Sequence, residues 1–357
     1  MLPKKIAVIG TVGLPANYGG FESFTEFLVK QLKREFEFTV YCSSRAYPEK
    51  CAEYEGVHLK YLPLNANGVQ SIPYDIWSIL DALRYADTLL ILGVSGCAIL
   101  PFLRRCGCRR RIVVNIDGLE WRRDKWNAAA RHFLKYSEQC AVGHADAVVG
   151  DNKVIADYVI NEYGKPCELI EYGADHQYPL PITPEAIARY PFLAAPYAFG
   201  VCRIEPENNV KLILQAFEDY PDLPLVMVGN WKKNEYGRNL LARYSAQSNF
   251  YLLDPIYDLP QLNILRSNCA LYLHGHSCGG TNPSLIEAMH LGVPIAAFDV
   301  DFNRETTENR ALYFSDAESL HKLIAQPVPA GCADAMQEIA GRRYTWERIA
   351  ELYANLF

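Results

Sequence analysis

Eleven short apolar runs rich in β-branched residues, set apart by stretches of helical periodicity, constrain this chain more than any other feature. Six come first, at Lys5–Gly10, Phe38–Cys42, His58–Leu62, Leu89–Gly93, Ile112–Ile116 and Ala147–Gly150. Five follow at Tyr197–Cys202, Leu225–Gly229, Phe250–Leu253, Ala270–His274 and Ile295–Phe298. Between them, Glu22–Phe36, Trp126–Ala141, Asn152–Tyr163, Val210–Tyr220 and Leu259–Arg266 are amphipathic helical candidates. Strands alternating with helices build parallel, doubly wound sheets, and two sets predict two Rossmann-like α/β domains. The stretch "YPLPITPEAIARYPFLAAP" places five prolines between Pro179 and Pro196. That break divides an N-terminal domain, 1–185, from a C-terminal one, 186–342. Residues 343–357 hold a last amphipathic helix, through Trp346, Ile349, Leu352 and Tyr353, expected to pack back towards the N-terminal domain.

Composition narrows the class. At 357 residues, half of them apolar, the chain suits two ordinary domains of a soluble protein. "MLPKK" leads straight into the first strand, so no secretory leader is expected. The most apolar run, Thr88–Leu103, is interrupted by Gly93, Gly96 and Pro101 and is too short to span a bilayer. Eleven scattered cysteines, an odd number, predict reduced thiols and a cytosolic location. Cys106 and Cys108 are too weak a pair to claim a metal. The net charge is −6, yet Pro101–Tyr136 holds ten Lys/Arg against three acids, a local +7. An acidic chain with no nucleic-acid motif argues against nucleic acid as the partner. A merely solvated face, or one for anionic lipid headgroups, remains open for that segment.

Ligands of open α/β sheets bind beyond the carboxyl ends of the strands, and a cleft between two such domains is the expected site. Four strand ends carry candidate chemistry. "GTVGLPANYGGFE" (10–22) lacks the dinucleotide fingerprint but puts Gly19 and Gly20 before a helix, as a tight turn or as backbone amides for an anion. "VVNIDGLEW" (113–121) ends in Asp117, which forms an Asx-turn or else orients, or takes a proton from, a substrate hydroxyl. "GVCRIEPENN" (200–209) ends a strand at Arg203, a phosphate cation or the partner of Glu205 or Glu207. "CGGTNPSLIEAMHLGVP" (278–294) enters a helix through Asn282 and Pro283. There Ser284 and Glu287 form a capping box, or the turn exposes N–H groups to phosphate.

Taken in order, "IAVIGTVGLPANYGGFE", "NIDGLEWRRDKW", "RIEPENN" and "GHSCGGTNPSLIEAM", with "EAMHLGVPIAAF" and a Trp-containing terminal helix, resemble the retaining glycosyltransferases of family 4. The closer resemblance is to the bacterial rhamnosyltransferase branch (β-1,4-rhamnosyltransferase-like), and it runs from residue 5 to the terminal helix. It implies the GT-B fold, two Rossmann-like domains about a central cleft. It further implies transfer of L-rhamnose from dTDP-L-rhamnose to a lipid-linked saccharide in cell-surface polysaccharide synthesis. No cofactor or metal is implied, and the protein would sit on the inner face of the bacterial membrane. Asp117, Arg203 and Glu287 become the catalytic candidates, with Glu287 on the ribose hydroxyls. Donor contacts fall on Gly19, Gly20, Arg203, Lys211, Gly229, Asn230 and His276. They continue through Gly279, Gly280, Thr281, Asn282, Pro283, Ser284, Leu285 and Glu287. Acceptor contacts fall on Asn17, Tyr18, Asp117 and Glu120. Arg122, Arg123, Lys125, Arg131 and Lys135 are the candidate membrane contacts, and His274 is a further residue within reach of sugar hydroxyls.

The chain departs from the family at three places. Asn208 stands where a Lys accompanies the Arg, Gly279 where a second Glu precedes the ribose-binding one, and Asp117 where many members have His. These read as adaptation to the donor, with Lys211 or a neighbour replacing the lost cation. A nucleotide-sugar 2-epimerase, a non-catalytic nucleotide-sugar-binding subunit and a Rossmann oxidoreductase are the competing classes.

Overall fold

A computed structural model describes residues 3–16, 19–123 and 126–357. The chain forms two units, one of residues 1–173 with 346–357, the other of residues 174–345.

The first unit is an eight-stranded sheet. Its strands are β1 (Lys4–Ile9), β2 (Phe36–Ser43), β3 (Glu53–Tyr54), β4 (Val57–Leu62), β5 (Thr88–Leu92), β6 (Arg111–Asn115), β7 (Ala147–Gly150) and β8 (Glu168–Leu169). Their order is β3-β4-β2-β1-β5-β6-β7-β8, and every pair is parallel except β3 with β4. Central β1 and β5 are apolar without alternation because helices cover both faces; all five residues of β5 are buried. The helix Trp346–Leu356 belongs to this unit. It buries Trp346, Ile349, Ala350 and Tyr353, the spacing of one helical face. Trp346 stacks on Phe27 of the helix Gly20–Leu32 with centroids 4.7 Å apart, and Tyr353 meets Phe24 at 5.1 Å.

The second unit carries β9 (Ala198–Val201), β10 (Leu225–Val228), β11 (Phe250–Leu253), β12 (Leu271–His274), β13 (Ile295–Phe298) and β14 (Leu312–Phe314). This sheet is wholly parallel, in the order β11-β10-β9-β12-β13-β14. Its core gathers Trp231, Phe217, Tyr244 and Leu214 with strand residues such as Leu225 and Leu273. The division between units falls at Gly173/Ala174 and not in the proline-rich stretch. Hydrogen bonds explain this: Ala174 N–H donates to the Tyr344 carbonyl at 2.8 Å, and Asn268 Nδ2 donates to the Leu180 carbonyl at 2.8 Å. Residues 174–180 are thereby tied to the second unit.

Candidate functional site

Parallel strands bring their carboxyl ends to one edge, so the second unit sets Arg203 (after β9), Gly229 and Asn230 (after β10) and His274 (β12) side by side. Asparagines bind these loops together. Asn208 Nδ2 donates to the Arg203 carbonyl at 2.7 Å, Asn230 Oδ1 accepts from Ile204 N–H at 2.8 Å, and Asn234 Nδ2 donates to the Ile204 carbonyl at 2.8 Å. Asn208, in the place of the family's Lys, is therefore a buried brace on the backbone of Arg203. The Arg203 guanidinium is 37 % exposed and 3.8 Å from the Glu205 carboxylate, a loose pair at the solvent edge. Lys211 lies exposed at the start of the helix Val210–Phe217, its N–H bonded to the Tyr236 hydroxyl.

The loop after β12 is fixed to the Arg203 loop. Ser277 donates to the Glu207 carbonyl from both N–H (3.0 Å) and Oγ (2.8 Å), and Asn209 Nδ2 donates to the Gly275 carbonyl at 2.9 Å. Gly279 has φ +115°, a region that strains any side chain, so a Glu here would not fit this loop. Gly280 and Thr281 are buried. The helix Pro283–His290 then begins with Asn282 at its N-cap, without a side-chain capping bond. Of the two alternatives for Ser284 and Glu287, the capping box is not formed: the Glu287 carboxylate turns elsewhere. In the first turn Pro283 has no N–H and the Leu285 N–H donates to the Asn282 carbonyl at 3.0 Å, so the anion-favouring end of the helix has the Ser284 N–H to offer. His276 stacks on His274 with centroids 4.3 Å apart and planes 12° apart, and its carbonyl accepts from Asn303. His274 is 1 % exposed with neither ring nitrogen hydrogen-bonded, and burial holds it neutral.

Glu287 is met by residues that sequence reasoning missed. Arg266, in the helix Leu259–Ser267, donates from Nη1 to Glu287 Oε2 at 2.5 Å. His176 Nε2 lies 3.7 Å from Glu287 Oε1. Burial pushes the carboxyl up, but the Arg266 charge and the nearby His176 outweigh it and hold the group at about 2. The signal in the sequence was a lone arginine on the apolar face of "LPQLNILRSN".

In the first unit the loops after β1 and β6 lie at one sheet edge. Gly19, with φ +139°, precedes a helix whose Glu22 folds back beneath it; a Cβ on Gly19 would sit 1.8 Å from Glu22 Oε2. Glu22 Oε1 accepts from Val12 N–H at 2.7 Å, so the tight turn alone demands glycine at 19, with Gly20 opening the helix. Asn17, Tyr18 and Lys125, all candidates from sequence, lie outside the described residues. Asp117 is half-buried at φ +62°, and its N–H donates to Asn115 Oδ1 at 2.9 Å. The Asx-turn expected of Asp117 thus belongs to Asn115, whose Nδ2 in turn donates to the Tyr353 hydroxyl at 2.9 Å. The terminal helix therefore braces the loop that presents Asp117.

Two groups of candidates are engaged within the protein. Glu120 accepts from Trp126 Nε1 at 3.1 Å and pairs with Arg123 Nε at 2.8 Å, so this carboxylate braces its own loop. Among the membrane candidates, Lys135 sits 4.8 Å over the rings of Trp121 and Tyr163 and 2.9 Å from Glu162. Buried Glu138 holds that cluster together, accepting from Tyr158 (2.7 Å), Tyr163 (2.6 Å) and Trp121 (3.1 Å). Arg123 and Lys135 are thus committed to carboxylates of this unit, while Arg122 is exposed and stacks 5.0 Å from Trp121. Arg131 is half-buried. All eleven cysteines are unpaired. Among the described residues no group of three or more His, Cys, Asp or Glu could hold a metal, and no helix is long and apolar enough to cross a membrane.

Two parallel Rossmann-like sheets of this topology in one chain are the mark of the GT-B fold, and the solved structures agree. Sucrose-phosphate synthase from Thermosynechococcus elongatus superposes with a TM-score of 0.81 at 16 % identity, over 99 % of this chain and 98 % of that one. Anabaena HepE in complex with UDP superposes at 0.76, with 16 % identity and the same coverage. The chain has the GT-B fold. Residues 191–328 match the family described as glycosyl transferases group 1, and residues 3–175 match a domain of unknown function, DUF1972. A curated relative, the GtfA subunit of a UDP-N-acetylglucosamine–peptide N-acetylglucosaminyltransferase of Streptococcus pneumoniae, is 26 % identical over 149 residues, 40 % of this chain. The match spans 29 % of that relative's length. Fold and family match together support a GT-B glycosyltransferase.

Proposed function

We propose that this chain is a retaining glycosyltransferase that moves L-rhamnose from dTDP-L-rhamnose to a hydroxyl of a lipid-linked saccharide, in the synthesis of cell-surface polysaccharide. The observation that carries this reading lies in the unit matching the group 1 transferases. There a braced Arg203, the helix N-terminus at Pro283 with the Ser284 N–H, and an ionised Glu287 belong to neighbouring strand ends of one sheet. An anionic diphosphate suits the first two and the 3′-hydroxyl of the nucleotide's deoxyribose the third.

In the reaction the bond from the anomeric carbon to the diphosphate oxygen breaks, and the acceptor oxygen bonds to the same face of that carbon. The intermediate state is oxocarbenium-like, with no covalent link to the enzyme. Arg203 and the helix N-terminus stabilise the charge that builds on the leaving diphosphate, so catalysis is chiefly positioning and electrostatics, without a metal. Asp117, held by the Asn115–Tyr353 brace, orients the acceptor hydroxyl or takes its proton.

A lipid-linked acceptor calls for a cytoplasmic protein held at the anionic inner leaflet. With Arg123 and Lys135 engaged elsewhere, support for that contact shifts to the helix Leu100–Arg105 and its neighbour. Phe102 is 63 % and Tyr136 53 % exposed there, beside exposed Arg105 and Arg109.

The test is turnover by the purified protein of dTDP-L-rhamnose, with UDP-sugars in parallel, with and without a lipid-linked GlcNAc acceptor and in the presence of EDTA. Acceptor-dependent release of dTDP, lost in Arg203→Ala and Glu287→Ala, is the expected result. Donor consumption without acceptor would point to an epimerase, and binding without release to a non-catalytic subunit; either would overturn the proposal. HepE is seen with UDP and with UDP-glucose, so the UDP arm also decides the base.

A further inference from the structure

Arg266 is wholly buried, a position that costs an arginine several kcal/mol of hydration unless its partners compensate, typically more than a surface pair returns. Its partners come from distant segments. Nη1 meets Glu287 Oε2 at 2.5 Å, Nη2 meets Gln177 Oε1 at 3.5 Å, and Gln177 Nε2 lies 2.8 Å from His176 Nε2. Nε is buried with no hydrogen-bond partner. An apolar pair of the same volume would fill this space without leaving a buried N–H unsatisfied, so packing does not account for the arginine. What the arrangement does achieve is specific to Glu287. One carboxylate oxygen is pinned by a rigid guanidinium, the other faces His176, and the side chain retains 21 % exposure at a sheet edge lined by donor candidates.

We infer that Arg266, braced by Gln177, is the positioning residue that fixes the Glu287 carboxylate to receive a furanose hydroxyl of the donor nucleotide. This rests on the donor-site reading above. Three titratable groups face Glu287: Arg266 from its helix, His176 from the chain entering the unit, and Tyr272 from β12. Only the arginine is both permanently charged and in contact, so its removal leaves burial to decide the protonation of Glu287.

The experiment measures binding of thymidine and uridine diphosphates and of their 2′,3′-dideoxy analogues by calorimetry, for wild type, Arg266→Met, Arg266→Lys and Glu287→Gln. In wild type the hydroxylated nucleotides should bind at least about tenfold tighter, one good hydrogen bond to a charged group. Arg266→Met and Glu287→Gln should both erase that preference while binding the dideoxy nucleotides as wild type does. The wild-type ratio of hydroxylated to dideoxy affinity should stay constant from pH 8 to 5, since the ligand's own phosphate titration is common to both and Glu287 stays ionised. If Arg266→Met does not fold, Arg266→Lys decides, since it keeps the charge without the fork and should cut the preference at least threefold. Equal loss for both kinds of nucleotide, or a preference left intact, would make Arg266 merely structural. A wild type that binds dideoxy and hydroxylated forms alike would overturn the inference but leave the diphosphate site standing. One that binds neither would remove the donor reading as well.

Discussion

Asn208 offers a sharp test of how the Arg203 loop works, because it stands where the resembling family carries a cation. Its side chain is 2 % exposed, and Nδ2 donates to the Arg203 carbonyl at 2.7 Å. Asn208→Ala deletes one neutral hydrogen bond, worth about 1 kcal/mol net, from the backbone that aims the guanidinium. At about 1.4 kcal/mol per factor of ten, nucleoside diphosphate affinity should fall about fivefold. Arg203→Ala removes charge-assisted bonds to the diphosphate, about 1.5–3 kcal/mol, and should cost roughly 10- to 150-fold. If Asn208 acts only by holding Arg203, the double variant should bind no worse than Arg203→Ala alone, a non-additivity that a double-mutant cycle reads directly. Titration calorimetry with thymidine diphosphate on the four proteins supplies the numbers. Losses that multiply in the double variant, or a larger loss in Asn208→Ala than in Arg203→Ala, would place Asn208 on the ligand and refute the brace. Asn208→Lys should be worse than Asn208→Ala, since it loses the bond and buries an ammonium as well.

Three other outcomes follow from the geometry. Glu287 falls from its ordinary 4.5 to about 2, so its ionised form adds roughly 3 kcal/mol of stability that is complete above pH 5 and lost as pH drops towards 2; urea unfolding should show that slope in wild type and not in Glu287→Gln, and a gap independent of pH would refute it. His274→Phe should leave stability unchanged or raise it by about 1 kcal/mol, because a buried imidazole with two unpaired nitrogens gives way to a ring of similar shape; a marked drop in melting temperature would mean that the nitrogens have partners. Trp346→Ala should cost about 3–5 kcal/mol, as the indole is 4 % exposed, stacks on Phe27 and fills the space over Gly173; a loss under 1 kcal/mol would show that the terminal helix is not anchored by it.

The sheets were legible because their strands are buried on both faces, and burial writes itself as an uninterrupted apolar run. Every strand of that kind appears within a residue or two of its expected place. The strands that escaped are β3, β8 and β14, of two or three residues with exposed or half-buried positions, too short to carry a period. The boundary between units was misplaced for a related reason. Prolines mark where regular structure stops, but Ala174, Gln177 and Leu180 are claimed by the second unit through hydrogen bonds that no composition reveals.

The strand-end positions of Arg203, Asn230 and Asp117 were also legible, since each follows an apolar run by a residue or two, and Glu287 lies on the helix that follows β12. Their partners were not. Arg266 is 21 residues from Glu287, and Gln177 is 89 from Arg266, and only the folded chain makes them neighbours. The basic stretch 101–136 shows the same failure in its strongest form. Counting charges along the chain treats each one as facing water, which held for Arg105 and Arg122 but not for Lys135. One buried carboxylate, Glu138, draws in Trp121, Lys135, Tyr158 and Tyr163, and so converts what reads as a lipid-facing aromatic and basic surface into a packed cluster. An acid spaced three residues after a lysine on a helix, with an apolar turn beyond it, is the local cue that such a cluster leaves. Where that cue is present, the charges left facing solvent are the ones without it, here Arg105 and Arg109.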